Sequence, residues 1–326
     1  MGFKNSCYVG QAASELTYSQ STMLKFLEFK NWTLNSENWP FSNINEILIV
    51  YVDDISVFSP NNIPNSIRIH CNVLEFTFFA TQLYGFKIGK CKFEPFVKNF
   101  KYLGHQFDVE RGCTMIPPSK VELFKNFRSP RSTAETLSRL SILSYYRKYI
   151  PLFKIIVQPL HQMAMSGKFE WLEKHQMAWK ATLLLATLGF ANHVVDKTKT
   201  LFLATDASQI AISYVLFQIV GGDIKLISMD SRILKGADRN KASSFREAIS
   251  LMFALISNEN QIKSHEAQVI VLTDCIGLSQ ILRSSNHNSR LLEFAIFIGT
   301  FNNISVKYAI GSSLFFADLI THFTPV

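Results

Sequence analysis

Six acidic residues stand where carboxylates can do chemistry: Asp206, Glu247, Asp274, Asp318, Asp53 and Asp54. Four of them fall on separate predicted elements of the second half. Asp206 ends a strand-like run within Leu203-Ala204-Thr205-Asp206-Ala207-Ser208, and Asp274 ends the run Val269–Thr273. Glu247 lies in the first turn of a predicted helix over 244–257, and Asp318 in a last helix over 314–322. Carboxylates from four elements can converge on a pair of hard divalent cations, which prefer oxygen ligands. Of two such ions, one would activate water for attack on phosphorus and the other stabilise a leaving 3′-oxygen. The pair Asp53-Asp54 interrupts two β-rich runs, Ile47–Val52 and Ile55–Phe58, and so sits at a hairpin tip. Adjacent carboxylates between buried strands are costly unless a cation offsets their charge, and phosphoryl transfer uses two metals roughly 4 Å apart for this.

Each acid also has a mundane reading. Glu247 follows Ser244 by three residues and could be a capping-box glutamate. Asp206 and Asp274 could be turn residues after strands, and Asp53-Asp54 a solvated turn. Asp318 could be a solvated position beside the apolar stripe Phe316, Leu319, Ile320 and Phe323. Taken singly, none of the six outweighs these alternatives.

The elements that would carry them can be read from periodicity and punctuation. Helices are expected over 11–30 and 66–84, with Asn-rich loop and Pro40 at 31–46. Short strands are expected around Lys92–Phe93 and Lys101–Phe107. After Pro117-Pro118, helices are expected near 119–127, 133–147 and 173–187, the second capped by Ser132 or Thr133. Beyond Asn192 the pattern changes to strands at 200–204, 210–218 and 224–229, the helix at 244–257, and a strand at 268–273. Helices near 277–283 and 289–300, a strand at 304–309 and the last helix follow. Strands first, then alternating helices and strands, predict a mixed sheet flanked by helices in an α/β (α+β) class.

Composition bounds the partners. The 326 residues are 48% hydrophobic and 18% charged, enough for two or three domains with cores and too apolar for wholesale disorder. Of the net charge of +8, residues 196–326 hold 12 Lys+Arg against 11 Asp+Glu, leaving +7 to residues 1–195. Attraction to a phosphate backbone therefore belongs mainly to the first part. The five cysteines are odd in number and form no C-x-x-C pair, which argues against a zinc site or disulfide framework and fits a reducing compartment. No apolar run is long enough to span a bilayer, and no secretory signal is present. Met1-Gly2-Phe3-Lys4-Asn5-Ser6 matches the myristoylation pattern but is better explained as an internal enzyme segment.

Taken together the motifs resemble a retroelement reverse transcriptase of the Ty3/gypsy type, over nearly the whole chain. Tyr51-Val52-Asp53-Asp54 after an aliphatic strand resembles the catalytic hairpin of the polymerase palm. Upstream, Gly2-Phe3-Lys4-Asn5-Ser6 with Gln11 resembles the palm motif that precedes it, and Tyr102-Leu103-Gly104-His105, after Lys90-Cys91-Lys92-Phe93, the primer-grip hairpin. Pro118-Ser119-Lys120-Val121, Tyr145-Tyr146-Arg147-Lys148-Tyr149-Ile150-Pro151, Gln158-Pro159-Leu160 and Phe169-Glu170-Trp171 continue the likeness through thumb and connection. Thr205-Asp206-Ala207-Ser208, Ser231-Arg232, Arg246-Glu247-Ala248, Thr273-Asp274 and Ala317-Asp318 occur in the order of retroelement ribonuclease H domains. Two details depart from that pattern: no glycine follows Thr205–Ser208 within a few residues, and the chain's Ala317–His322 differs from the usual A-D-x-L-S-R.

The resemblance implies a partial palm over 1–112, a thumb and connection over 113–195, and an RNase H-like domain over 196–326 with a five-stranded mixed sheet. It implies hydrolysis of RNA in RNA·DNA hybrids by Asp206, Glu247, Asp274 and Asp318, holding two Mg²⁺ or Mn²⁺ ions. Asp53 and Asp54 would be the polymerase carboxylates, with Asp53 also a metal ligand. Gln11, Tyr102, Gly104, Lys120, Arg147 and Lys148 would contact hybrid or template-primer. The family's third polymerase carboxylate lies upstream of the G-F-K-N segment. The chain as given is therefore expected to polymerise poorly, with dNTP a substrate only of the full-length enzyme. His322, one turn from Asp318, is expected to be merely exposed. The implied location is cytoplasmic, in a virus-like particle, or nuclear. The alternative is a decayed relic that binds nucleic acid without turnover, and hybrid cleavage separates the two.

Overall fold

The computed structural model describes residues 6–52, 54–59, 65–89, 93–275, 294, 296–301 and 303–309, with backbone alone for 6–10. The chain divides into two compact units, 1–97 and 98–326.

In the first unit the helix expected over 11–30 is two helices, α1 (Ser6–Thr17) and α2 (Gln20–Lys30). The break is chemical: the Ser19 hydroxyl accepts the Thr22 N–H at 3.3 Å and so starts a new helix, which Asn31 ends in the left-handed region. A 3₁₀ turn (Ile44–Glu46) leads into β1 (Leu48–Tyr51), which pairs antiparallel with β2 (Asp54–Val57), and α3 (Ser66–Leu83) follows. The core is aromatic. Phe26 packs 5.6 Å from both Trp39 and Phe76, over Met23, Ile47 and Val73. Phe93 lies in no strand, contrary to expectation, and Lys92 lies outside the described residues.

The second unit opens with β3 (Asn99–Tyr102), β4 (His105–Asp108) and β5 (Cys113–Met115). Helices α4 (Pro118–Lys125), α5 (Thr133–Tyr145), α6 (Phe153–Ile156), α7 (Gln158–Met165) and α8 (Glu173–Thr187) follow, with a 3₁₀ turn at Arg147–Tyr149. Ser132 caps α5 as the sequence suggests, accepting the Glu135 N–H at 3.1 Å. Strand β6 (Ala191–His193) returns to complete an antiparallel sheet ordered β3-β4-β5-β6. The three-residue strands β5 and β6 have no periodicity to betray them; only their mutual pairing makes them strands.

A second sheet follows, from β7 (Leu201–Ala207), β8 (Ala211–Val220) and β9 (Asp223–Ile233). Then come α9 (Gly236–Arg239), α10 (Ser243–Ser257), α11 (Glu259–Lys263), β10 (Val269–Thr273) and β11 (Ile304–Tyr308). Its order is β11-β10-β7-β8-β9, with the β7–β10 and β10–β11 pairs parallel and the others antiparallel. This is the five-stranded mixed sheet the sequence predicts. Helix α10 buries Ala248, Leu251, Ala254 and Leu255 at helical spacing against Leu201, Leu203, Tyr214 and Leu216. The other sheet face is buried too: Ala211, Val215 and Met229 share a core with Tyr149, Ile150, Ile156 and Trp179. One hydrophobic core thus crosses position 195/196, the boundary the resemblance implies between connection and RNase H-like domain. The helices expected near 277–283 and over 314–322 lie outside the described residues, and of 289–300 only 294 and 296–300 are described.

Candidate active site

The strand register assembles the acidic cluster. β7 and β10 are parallel neighbours in which Leu272 lies beside Ala204. Asp206 and Asp274 each follow that pair by two residues, so both acids emerge side by side at the same end of the sheet. Asp206 is the next-to-last residue of β7, and Asp274 is the residue after β10. Helix α10 runs across this end and delivers Glu247 from its second turn. Carboxylate oxygens of Asp206, Glu247 and Asp274 all lie within 4.8 Å of one another.

Glu247 is only 3% exposed. Its Oε1 accepts the Ala207 N–H at 3.0 Å, while its Oε2 is buried with no hydrogen-bond partner. Burial, then the charges of Asp206 and Asp274, push its carboxyl up from 4.5 to about 8; the Ala207 N–H and Arg246 act the other way. The capping-box reading of Glu247 is overturned. Helix α10 starts at Ser243 after Ala242, with no side-chain cap, so Ser244 lies inside the helix. A buried carboxylate oxygen lacking a donor, set among two further carboxylates, suits a hard cation: the donor set is all oxygen and the ion's charge would replace missing hydration. The residues present therefore fit a divalent metal.

Asp318, Asp53 and His322 lie outside the described residues. Asp54 is the exposed first residue of β2, opposite Tyr51. Between them Val52 takes a left-handed φ of 56°. Gln11, expected near nucleotide and template, braces this turn. Its Oε1 accepts the Val52 N–H at 2.5 Å, and the Ser14 hydroxyl donates to the Val52 carbonyl. Ser14 was not singled out from sequence; its place one turn after Gln11 on α1 is the signal that was there.

The remaining expected contact residues gather around the β3–β4 hairpin. Tyr102 pairs with His105, and the two turn residues Leu103 and Gly104 both have positive φ, 47° and 73°. That is the two-residue turn whose twist suits a hairpin, at some cost for a leucine. Three tyrosines hold it. The Tyr145 hydroxyl donates to the Leu103 carbonyl, and the Tyr146 hydroxyl to the Gly104 carbonyl at 3.1 Å. Tyr149 Oη lies 3.2 Å from His105 Nδ1, and the His105 ring stacks on Tyr145 at 5.1 Å. Burial, and secondarily Lys148, lower the His105 pKa to about 4, so the ring is neutral in the clasp. Sequence reasoning placed Tyr145, Tyr146 and Tyr149 only in a motif of the thumb and connection and missed this clasp. Arg147 and Lys148 are exposed on the 3₁₀ turn between these tyrosines, and Lys120 lines a shallow recess with Ser141, Ile142, Tyr145 and Tyr146.

Residues 196–301, which contain the acidic cluster, match the RNase H-like domain found in reverse transcriptase. Over 291 residues, 85% of this chain, the sequence is 28% identical to the retrovirus-related Pol polyprotein from transposon gypsy of Drosophila melanogaster. The chain is thus similar, over most of its length, to Pol polyproteins of Ty3/gypsy-like retroelements. It is also 24% identical over 238 residues, 72% of its length, to the Tf2-3 polyprotein of Schizosaccharomyces pombe. It spans 27% of the gypsy polyprotein and 17% of the Tf2-3 one. Its fold is that of a foamy viral protease-reverse transcriptase solved with double-stranded DNA, at TM-score 0.69 and 16% identity, covering 95% of this chain and 50% of that one. A second foamy viral protease-reverse transcriptase, solved with an RNA/DNA hybrid, gives TM-score 0.64 at 15% identity over 89% of this chain and 37% of that one.

Proposed function

We propose that this chain hydrolyses the RNA strand of RNA·DNA hybrids, leaving 3′-hydroxyl and 5′-phosphate ends, with Asp206, Glu247, Asp274 and Asp318 as the catalytic carboxylates. The observation that carries the proposal is Glu247: a buried carboxylate with one oxygen unpartnered, within 4.8 Å of two other acids, in a domain of the RNase H-like family. Two Mg²⁺ or Mn²⁺ ions, when bound, would supply activation of the attacking water and stabilisation of the leaving oxygen. The chain's own residues fix where that happens. The Ala207 N–H orients Glu247 Oε1 and leaves Oε2 for coordination. Asp206 presents its oxygens from β7 and Asp274 from the residue just after β10, so the parallel pairing of β7 with β10 brings the two together.

In this reading residues 1–112 are a partial polymerase palm, 113–195 thumb and connection, and 196–326 the ribonuclease H domain. RNA-directed DNA synthesis, with dNTP as substrate and Asp53 and Asp54 as carboxylates, belongs to the full-length protein. Gln11, Tyr102, Gly104, Lys120, Arg147 and Lys148 serve hybrid or template-primer. For Gln11 the role is indirect, through the hairpin turn it braces. The foamy viral structures with double-stranded DNA and RNA/DNA hybrid support nucleic acid as the partner class. The site of action is a cytoplasmic virus-like particle or the nucleus. Among the described residues no helix is long and apolar enough to cross a membrane.

The test is a labelled RNA·DNA hybrid incubated with the purified chain and Mg²⁺. Cleavage is expected, with Asp206→Asn and Glu247→Gln each lowering it at least about 100-fold, as expected for loss of a metal ligand. Cleavage unchanged in either variant, or binding without cutting by the wild-type chain, would overturn the assignment.

A further inference from the structure

Ser250 lies one turn beyond Glu247 on α10 and is fully buried. A buried serine in a helix usually turns its hydroxyl back onto its own helix, to the carbonyl one turn earlier. Here it does not. Ser250 Oγ lies 3.0 Å from the Asp206 carbonyl and 2.9 Å from the Ser213 carbonyl, bridging the two strands from across the helix–sheet interface. Asp206 and Ser213 are register partners in β7 and β8, so the single hydroxyl proton lies between the two carbonyls of one rung and is shared by them. The neighbouring contact, Ala207 N–H to Glu247 Oε1, lies one residue further along β7 and one turn earlier along α10. The helix is thus stapled to the strand at two successive points, one of them through Glu247 itself.

We infer that Ser250 is a positioning residue of the ion site: through the Asp206 and Ser213 carbonyls it fixes the distance between the Asp206 and Glu247 carboxylates. The inference rests on the ion-site reading above. Three carboxylates within 4.8 Å of one another repel when ionised, and they lie on three different elements. Without a cross-tie, α10 can relax away from the end of β7, and the site must then be re-formed each time ions bind. A preformed site avoids that reorganisation and binds more tightly. The Ser250 staple acts on the backbone of Asp206, so it holds the ligand without occupying any carboxylate oxygen. Packing alone does not require the hydroxyl. An alanine fills nearly the same space, so the oxygen is present for its hydrogen bond, one proton shared between two carbonyls, which contributes about 1 kcal/mol net.

The test uses the full chain and Mn²⁺ as the probe, with affinity measured by calorimetry well below the melting temperature. The Mg²⁺ concentration for half-maximal hybrid cleavage is the second readout. Ser250→Ala is expected to weaken Mn²⁺ binding about 3- to 10-fold, the equivalent of roughly one lost hydrogen bond, and to raise the Mg²⁺ requirement by a similar factor. Ser250→Thr, which keeps the hydroxyl, is expected to restore both. A purely structural role would lower the melting temperature while leaving the affinity of the folded protein unchanged. If Ser250→Ala does not fold, Ser250→Cys, close in shape and a weak donor, is read in its place with the same expectation. An alanine or cysteine variant with wild-type Mn²⁺ affinity, or a threonine variant as weak as alanine, overturns the role of Ser250 alone. Failure of the wild-type chain to bind Mn²⁺, or binding unaffected by Asp206→Asn, overturns the ion-site reading and this inference with it.

Discussion

The backbone N–H of Ala207 meets the buried Glu247 carboxylate at 3.0 Å, and this is the single donor found for that carboxylate among the described residues. One amide is little compensation for a nearly fully buried charge beside Asp206 and Asp274, and the carboxyl is accordingly pushed up to about 8. Between about 4.5 and 8 the folded chain keeps a proton on Glu247 that the unfolded chain has released. Bound protons then favour the folded state, so stability of the metal-free protein is predicted to fall as pH rises through that window. The fall is of order 3–5 kcal/mol at most. The urea midpoint at pH 5 and pH 8 after chelation measures it. Glu247→Gln is expected to flatten the difference, and Mg²⁺ at pH 8 to reverse the loss in the wild-type chain.

Gly104 is required by its conformation and by its neighbour. At φ +73° any side chain is strained, and a Cβ there would lie 3.3 Å from the Tyr145 ring and hydroxyl. Gly104→Ala is predicted to destabilise the unit by about 1–3 kcal/mol and to loosen the tyrosine clasp. Equilibrium unfolding reads the first effect and amide exchange at residues 102–105 the second. A loss below about 0.5 kcal/mol would show that the turn tolerates a side chain.

Nucleic-acid binding is predicted to be strongly salt-dependent. Lys120, Arg147 and Lys148 lie on or beside the tyrosine clasp, and the positive excess of the chain falls in residues 1–195. Neutralising each phosphate contributes about 0.9 to the slope of log affinity against log salt. Replacing all three with alanine should lower that slope by about 2–3, read by hybrid-binding anisotropy from 50 to 200 mM salt. An unchanged slope would place the phosphate contacts elsewhere.

The shared core predicts how the chain can be cut. Expressed alone, residues 196–326 would expose Ala211, Val215 and Met229, with Phe217 and Leu226 beside them. That fragment is predicted to aggregate or to melt without a cooperative transition, whereas residues 98–326 should behave as one cooperative monomer. Size-exclusion chromatography and thermal melts of the two fragments decide it. A monomeric 196–326 melting within a few degrees of 98–326 would refute the dependence.

Much of this protein is legible along the chain. The strand runs at 200–204, 210–218, 224–229 and 268–273 and the helix at 244–257 all reappear within a few residues, because period-2 and period-3.6 patterns reflect which side of an element is buried. Ser132 announces its helix because a cap is local chemistry. The acidic residues and the motif order came from the text alone as well. What sequence could not decide was whether Glu247 caps a helix or completes an acidic cluster, since Ser244 and Glu247 satisfy the capping spacing either way. The answer depends on where β7 lies relative to α10, a relationship between residues forty positions apart with no local signature. The side-by-side exit of Asp206 and Asp274, the clasp of Tyr145, Tyr146 and Tyr149 on the turn at Leu103-Gly104, and the three-residue strands β5 and β6 are of the same kind. Each exists only through pairing across long stretches of chain, where many weak contacts sum to fix a register that no single stretch encodes.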